Sequence, residues 1–87
     1  MSTTLTKLAA TIEARKDANP DTSWTAQLLA QGVEKCAEKF GEEAVEAIIE
    51  AVKGDRAALA NEAADALYHL MVMLAAADVP FEAVLKT

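Results

Sequence analysis

Apolar positions recur at helical spacing through most of this 87-residue chain. Leu5, Leu8, Ala9 and Ile12 fall at i, i+3, i+4 and i+7, the stripe of an amphipathic helix. Thr3 or Thr4 is placed to cap it, and Asn19-Pro20 to end it. Residues Asn19 to Ser23 read as a polar turn, after which Ser23 or Thr25 starts a short segment holding Trp24, Leu28 and Leu29 and broken at Gly32. From Val33 to about Lys53 the pattern predicts a longer helix, stopped by Gly54-Asp55, with Asp55 capping the next helix from Arg56 to about Ala77. So short a connection predicts an antiparallel hairpin. Asp78-Val79-Pro80 then turns the chain into a stubby last segment, Phe81 to Lys86.

Turning each hairpin helix by about 100° per residue separates its faces. On the first, Val33, Cys36, Ala37, Phe40, Ala44, Ala47, Ile48 and Ala51 form the arc expected to be buried. On the second, Leu59, Ala63, Ala66, Leu67, Leu70, Met73 and Leu74 form the matching arc. Lys39, Glu43, Glu46 and Glu50 run along one border of the first arc, and Glu62, Asp65 and His69 along the equivalent border of the second.

Composition sharpens this picture. Hydrophobic residues make up 53% of the chain, 20 of them alanine, with three glycines and two prolines, so the expected class is all-α and the expected organisation one domain over residues 1–87. Few large apolar side chains remain to fill a core, which predicts a homodimer or higher homo-oligomer. The lone Cys36 cannot close an intrachain disulfide and no apolar run follows a basic N-terminus, so the expected location is the cytoplasm. The longest apolar run, Leu70 to Ala77, is too short to span a bilayer. A net charge of −6 argues against a nucleic-acid partner. An anionic ligand here needs a counter-charge, and a divalent cation held by carboxylates is the simplest source.

Glu43-Ala-Val-Glu46 and Glu62-Ala-Ala-Asp65 each put two carboxylates one turn apart on borders that face each other in the hairpin. One such pair is ordinarily a solvated edge. Two in phase repel unless a cation joins them, and oxygen ligands without a thiolate or histidine cluster suit Mg²⁺, with Mn²⁺ as the alternative, over zinc.

The 15-residue spacer between the pairs is accompanied by Ser23-Trp24-Thr25-Ala26-Gln27-Leu28-Leu29, by Lys39-Phe40-Gly41-Glu42-Glu43-Ala44-Val45-Glu46 and by Glu62-Ala63-Ala64-Asp65-Ala66-Leu67-Tyr68-His69-Leu70. With these motifs the chain resembles the phosphoribosyl-ATP pyrophosphohydrolase family of the MazG-like all-α superfamily. The resemblance implies antiparallel helical hairpins assembled into a dimeric helix bundle. It also implies Mg²⁺-dependent hydrolysis of phosphoribosyl-ATP to phosphoribosyl-AMP and pyrophosphate, with Glu43, Glu46, Glu62 and Asp65 as metal ligands. Trp24 departs from the family pattern, where many relatives carry tyrosine, and the last helix is shorter than theirs.

Other residues carry two readings each. Glu42 and Glu50 are candidates for the catalytic base, or plain solvated acids. Lys39, and one turn further off Lys35, are candidates for substrate phosphate; an i, i+4 ion pair with Glu43 is the structural alternative for Lys39. Ser23 and Thr25 are candidates for substrate binding or simple caps, Trp24 for purine stacking or packing between helices, and His69 for a supporting contact or a satisfied half-buried imidazole. Cys36 and Met71–Met73 read as core. Two rival functions share these features: a nucleoside triphosphate pyrophosphohydrolase of the same superfamily, and a silent dimerisation module with an acidic edge.

Overall fold

The computed structural model describes residues 3–87, which form five α-helices and no strand. Helix α1 spans Thr3–Ala14, α2 Trp24–Ala30, α3 Val33–Lys53, α4 Arg56–Ala76 and α5 Phe81–Lys86. Thr3 and Thr4, the expected caps, both lie inside α1, and the residues before Thr3 lie outside the described residues.

The α1 helix ends earlier than Asn19-Pro20. After Ala14 the chain tightens into a 3-10 turn, Arg15–Asp17, and Ala18 is extended with ψ of 159°. Asn19 then organises the turn itself, its side-chain Oδ1 accepting from Asp21 N at 2.9 Å and its carbonyl from Thr22 N and Ser23 N at 3.1 Å. Ser23, not Thr25, caps α2, its hydroxyl accepting from Ala26 N at 3.1 Å.

The hairpin has the expected boundaries. Asp55 caps α4 by accepting from Ala58 N at 3.0 Å. At the end of α3, Gly54 adopts φ of 79°, its N–H reaches Ala51 O at 3.2 Å, and Asp55 N reaches Glu50 O at 3.2 Å. This is the Schellman pattern, and the left-handed residue it requires is the reason glycine suits the position. The same pattern closes α4, where Asp78 N bonds Ala75 O at 3.0 Å and Val79 N bonds Leu74 O at 2.9 Å. Here a non-glycine, Asp78, takes φ of 59°, and its carboxylate pairs with Lys16 at 2.9 Å. That bond, with a second that Lys16 donates to Glu13, raises the Lys16 ammonium above its ordinary pKa.

The core lies at the end of the hairpin away from the Gly54 turn. Ile12, Leu28, Cys36, Met71, Val72 and Ala75 are buried together, with Leu5, Leu8, Ala9, Leu29, Tyr68 and Phe81 packed around them. The Cys36 thiol donates to Leu28 O at 3.2 Å, and burial raises its pKa.

The predicted buried arcs are only partly covered. On α3, Cys36 is buried and Phe40, Ala44 and Ala47 are half-buried, whereas Val33, Ala37, Ile48 and Ala51 are exposed. On α4, Ala63 and Leu67 are exposed, and the deeply buried residues, His69, Met71, Val72 and Ala75, lie outside the arc except where it borders His69. The reason is that α1 and α2 cover the distal half of α4 from another side, and that half is apolar nearly all round. Trp24, expected to pack between helices, is 53% exposed.

Candidate metal centre

The hairpin register brings the two acidic motifs together. Glu43, Glu62 and Asp65 each offer a carboxylate oxygen, and these oxygens lie within 4.8 Å of one another. Glu43 and Glu62 are half-buried and Asp65 is exposed. Glu46 stands outside that mutual set but close enough to Glu62 and Glu43 to act on both carboxyls.

So much like charge in one place shifts the carboxyls upward. Glu62 is raised from 4.5 to about 7, first by its hydrogen bond with Glu46, then by desolvation and the charges of Glu46, Glu43 and Asp65. Glu43 is raised as well, chiefly by desolvation, then by the charges of Glu46 and Asp65, with the His69 imidazole acting in the opposite direction. Without a cation the cluster relieves its repulsion by holding a proton; a divalent ion would do the same with more charge. One oxygen of Glu62, Oε2, is buried and accepts no hydrogen bond, a polar atom with unused coordinating capacity. The donors are hard and anionic, so the residues present fit Mg²⁺ or Mn²⁺.

The other candidate residues fall into two groups. Glu50 is half-buried on the same border, and its Oε1 meets Lys53 Nζ at 3.3 Å without a hydrogen bond. Glu42 is exposed, and it rather than Glu43 is the ion-pair partner of Lys39, at 3.8 Å. The alternative i, i+4 pair is not formed, because the Glu43 carboxylate lies with Glu62 and Asp65 of α4. Lys35 pairs with Glu38 at 3.1 Å. Ser23 is occupied with its cap, and the Thr25 hydroxyl with that of Tyr68. His69 is more deeply buried than a border residue should be, at 8% exposed, and its Nδ1 has no hydrogen-bond partner, so the satisfied imidazole is not observed. Tyr68 stands in the motif that carries the resemblance but was assigned no role; its place one turn after Asp65 was the signal available.

The phosphoribosyl-ATP pyrophosphohydrolase family profile matches residues 5–87. The chain belongs to that family. Among its relatives, the phosphoribosyl-ATP pyrophosphatase of Cereibacter sphaeroides is 79% identical over 77 residues, covering 88% of this chain and 75% of the relative. Those of Dinoroseobacter shibae and Ruegeria pomeroyi are 75% identical over 81 residues and 76% over 78, covering 93% and 90% of this chain and 79% and 74% of the relatives. In this chain the paired acidic motifs stand on two adjacent helices of one hairpin, with Glu43, Glu62 and Asp65 converged.

Proposed function

We propose that the chain hydrolyses phosphoribosyl-ATP to phosphoribosyl-AMP and pyrophosphate, using Mg²⁺ held by Glu43, Glu46, Glu62 and Asp65. The convergence of Glu43, Glu62 and Asp65 within 4.8 Å, in a chain of this family, carries the reading. Bound there, Mg²⁺ would offset the charge of the triphosphate and make a neighbouring water more acidic. Water attacks at the α–β anhydride, the P–O bond to the leaving pyrophosphate breaks, and a carboxylate takes the water's proton. Glu50 suits that role better than Glu42: it is half-buried on the border of the cluster, whereas Glu42 is exposed. Lys39, loosely paired at 3.8 Å, is the better phosphate contact; Lys35 is held more closely by Glu38.

The working unit is a homodimer. Val45, Ile48, Ile49 and Val52 on α3, with Leu67 on α4, are exposed large apolar residues at helical spacing. A second copy laid on this stripe would complete a four-helix bundle. Among the described residues no helix is long and apolar enough to cross a membrane, and the lone cysteine and acidic charge fit a cytoplasmic enzyme of small molecules.

Turnover tests the reading. Purified protein with Mg²⁺ should release pyrophosphate from phosphoribosyl-ATP in preference to any of the common deoxynucleoside triphosphates. Preference for the latter would reject the substrate, and no metal-dependent hydrolysis of either would leave a dimerisation module.

A further inference from the structure

Tyr68 stands outside the acidic cluster, yet its hydroxyl is hydrogen-bonded to Thr25 Oγ1 across the contact between α2 and α4. Its ring is half-buried against the core and meets His69 edge-on, with centroids 5.0 Å apart and planes at 72°. Asp65 lies one turn earlier on the same helix, and His69, the next residue, is near enough to Glu43 for its charge to act on that carboxyl. Tyr68 therefore joins the metal-site edge of α4 to the first turn of α2.

The α2 helix has seven residues and little area with which to hold its orientation. Ala26 and Leu28, 3% and 0% exposed, fix how deeply it sits. Burial of these two side chains and the Cys36 thiol's bond to Leu28 O set the coarse rotation of the helix near its middle. The bond between the Thr25 and Tyr68 hydroxyls is directional and holds its first turn. What rotates with Thr25 is the exposed Trp24 and the Ser23 cap, the same end of α2 that carries the candidate substrate contacts.

We propose that Tyr68 is a positioning residue for the hydrolysis: through Thr25 its hydroxyl fixes the 23–25 end of α2 relative to Glu62 and Asp65, presetting the distance between nucleotide contacts and metal ligands. The inference rests on the phosphoribosyl-ATP reading. It also gives Thr25 a different part from direct contact with substrate, since its hydroxyl is committed to Tyr68.

The full-length chain with Tyr68→Phe, Thr25→Val and both changes together tests this, with kcat, KM for phosphoribosyl-ATP, melting temperature and Mn²⁺ affinity measured for each. Each single variant should raise KM by about three- to tenfold, with kcat and Mn²⁺ affinity little changed. The double variant should match the singles, because one bond is lost in all three, and Thr25→Ser, which keeps the hydroxyl, should recover most of the affinity. Unchanged KM alongside a lower melting temperature would mark a purely structural bond and overturn the proposal. So would additive effects, or a KM increase confined to Thr25→Val, which is the signature of Thr25 touching substrate itself. If the unsubstituted chain fails to hydrolyse phosphoribosyl-ATP, the function and this inference fall together; if it hydrolyses well and only the variants fail to respond, Tyr68 alone is wrong.

Discussion

The two halves of the α3–α4 hairpin are built from similar residues and treated differently. In the half away from the turn, Cys36, Met71, Val72 and Ala75 are sealed by α1 and α2. In the half beside the turn, Val45, Ile48, Ile49 and Val52 stand in the open, with Val52 83% exposed. The acidic cluster lies where one half gives way to the other. The covered half draws its stability from within the chain; in the proposed dimer a second copy would cover the open half, and the proposed metal site would lie on the seam between folding and association.

The largest effect expected is on activity at that seam. Asp65→Ala and Glu46→Ala should each lower Mg²⁺-dependent hydrolysis by several orders of magnitude while leaving helicity and melting temperature unchanged or raised, because each removes a charge from a mutually repelling group. Circular dichroism beside the turnover assay separates the two. Activity retained in both variants would dissolve the four-carboxylate site.

The halves should also differ in how they fail. Leu28→Ala removes a fully buried side chain and should cost about 2–5 kcal/mol, measured by denaturant unfolding, whatever the protein concentration. Ile48→Asp should leave the covered half folded but shift the mass seen by light scattering at micromolar concentration from dimer to monomer, and remove the concentration dependence of melting. A monomeric wild-type chain would show that the open stripe has another purpose.

A smaller, pH-linked difference belongs to the cluster alone. Glu62 titrates near 7 in the folded chain against 4.5 ordinarily, so between those values the folded state binds the extra proton. Stability of the metal-free protein should therefore fall as pH rises through this window and level off above about 8. Saturating Mg²⁺ or Mn²⁺ should flatten the profile, since the ion replaces the proton. A metal-free melting temperature that climbs from pH 5 to 8 would contradict the crowding of these carboxyls.

Much of this was legible in the sequence because it is local. The bounds of α3, the Asp55 cap, the Gly54 stop and the phase shared by Glu43-x-x-Glu46 and Glu62-x-x-Asp65 depend on residues within a turn or two, and a two-residue connection forces the two motifs into register. What escaped depends on distant packing. The buried side of α4 could not be read because Leu70–Ala77 is apolar around nearly its whole circumference; only the arrival of α1 and α2 decides that Val72 is sealed and Leu67 is not. The Thr25–Tyr68 contact joins residues 43 apart, and neither residue type announces it.

The smallest prediction concerns the two ends of the hairpin helices, which use one backbone motif with different residues. At Gly54 a Cβ would meet nothing within 4 Å, so Gly54→Ala tests the left-handed conformation alone and should cost about 1 kcal/mol. At Asp78 the same conformation is occupied by a residue that tolerates it better than alanine and that also pairs with Lys16. Asp78→Gly would relieve the remaining backbone strain, but it loses an exposed ion pair worth about 0–1 kcal/mol and adds unfolded-state freedom worth about 0.5–1 kcal/mol. These terms nearly cancel, leaving a change within about 1 kcal/mol on the destabilising side. Asp78→Asn keeps the backbone preference and drops only the charge, so its cost should shrink as salt is added, whereas that of Gly54→Ala should not. A salt-independent loss in Asp78→Asn would mean that the carboxylate closes the helix by a route other than Lys16.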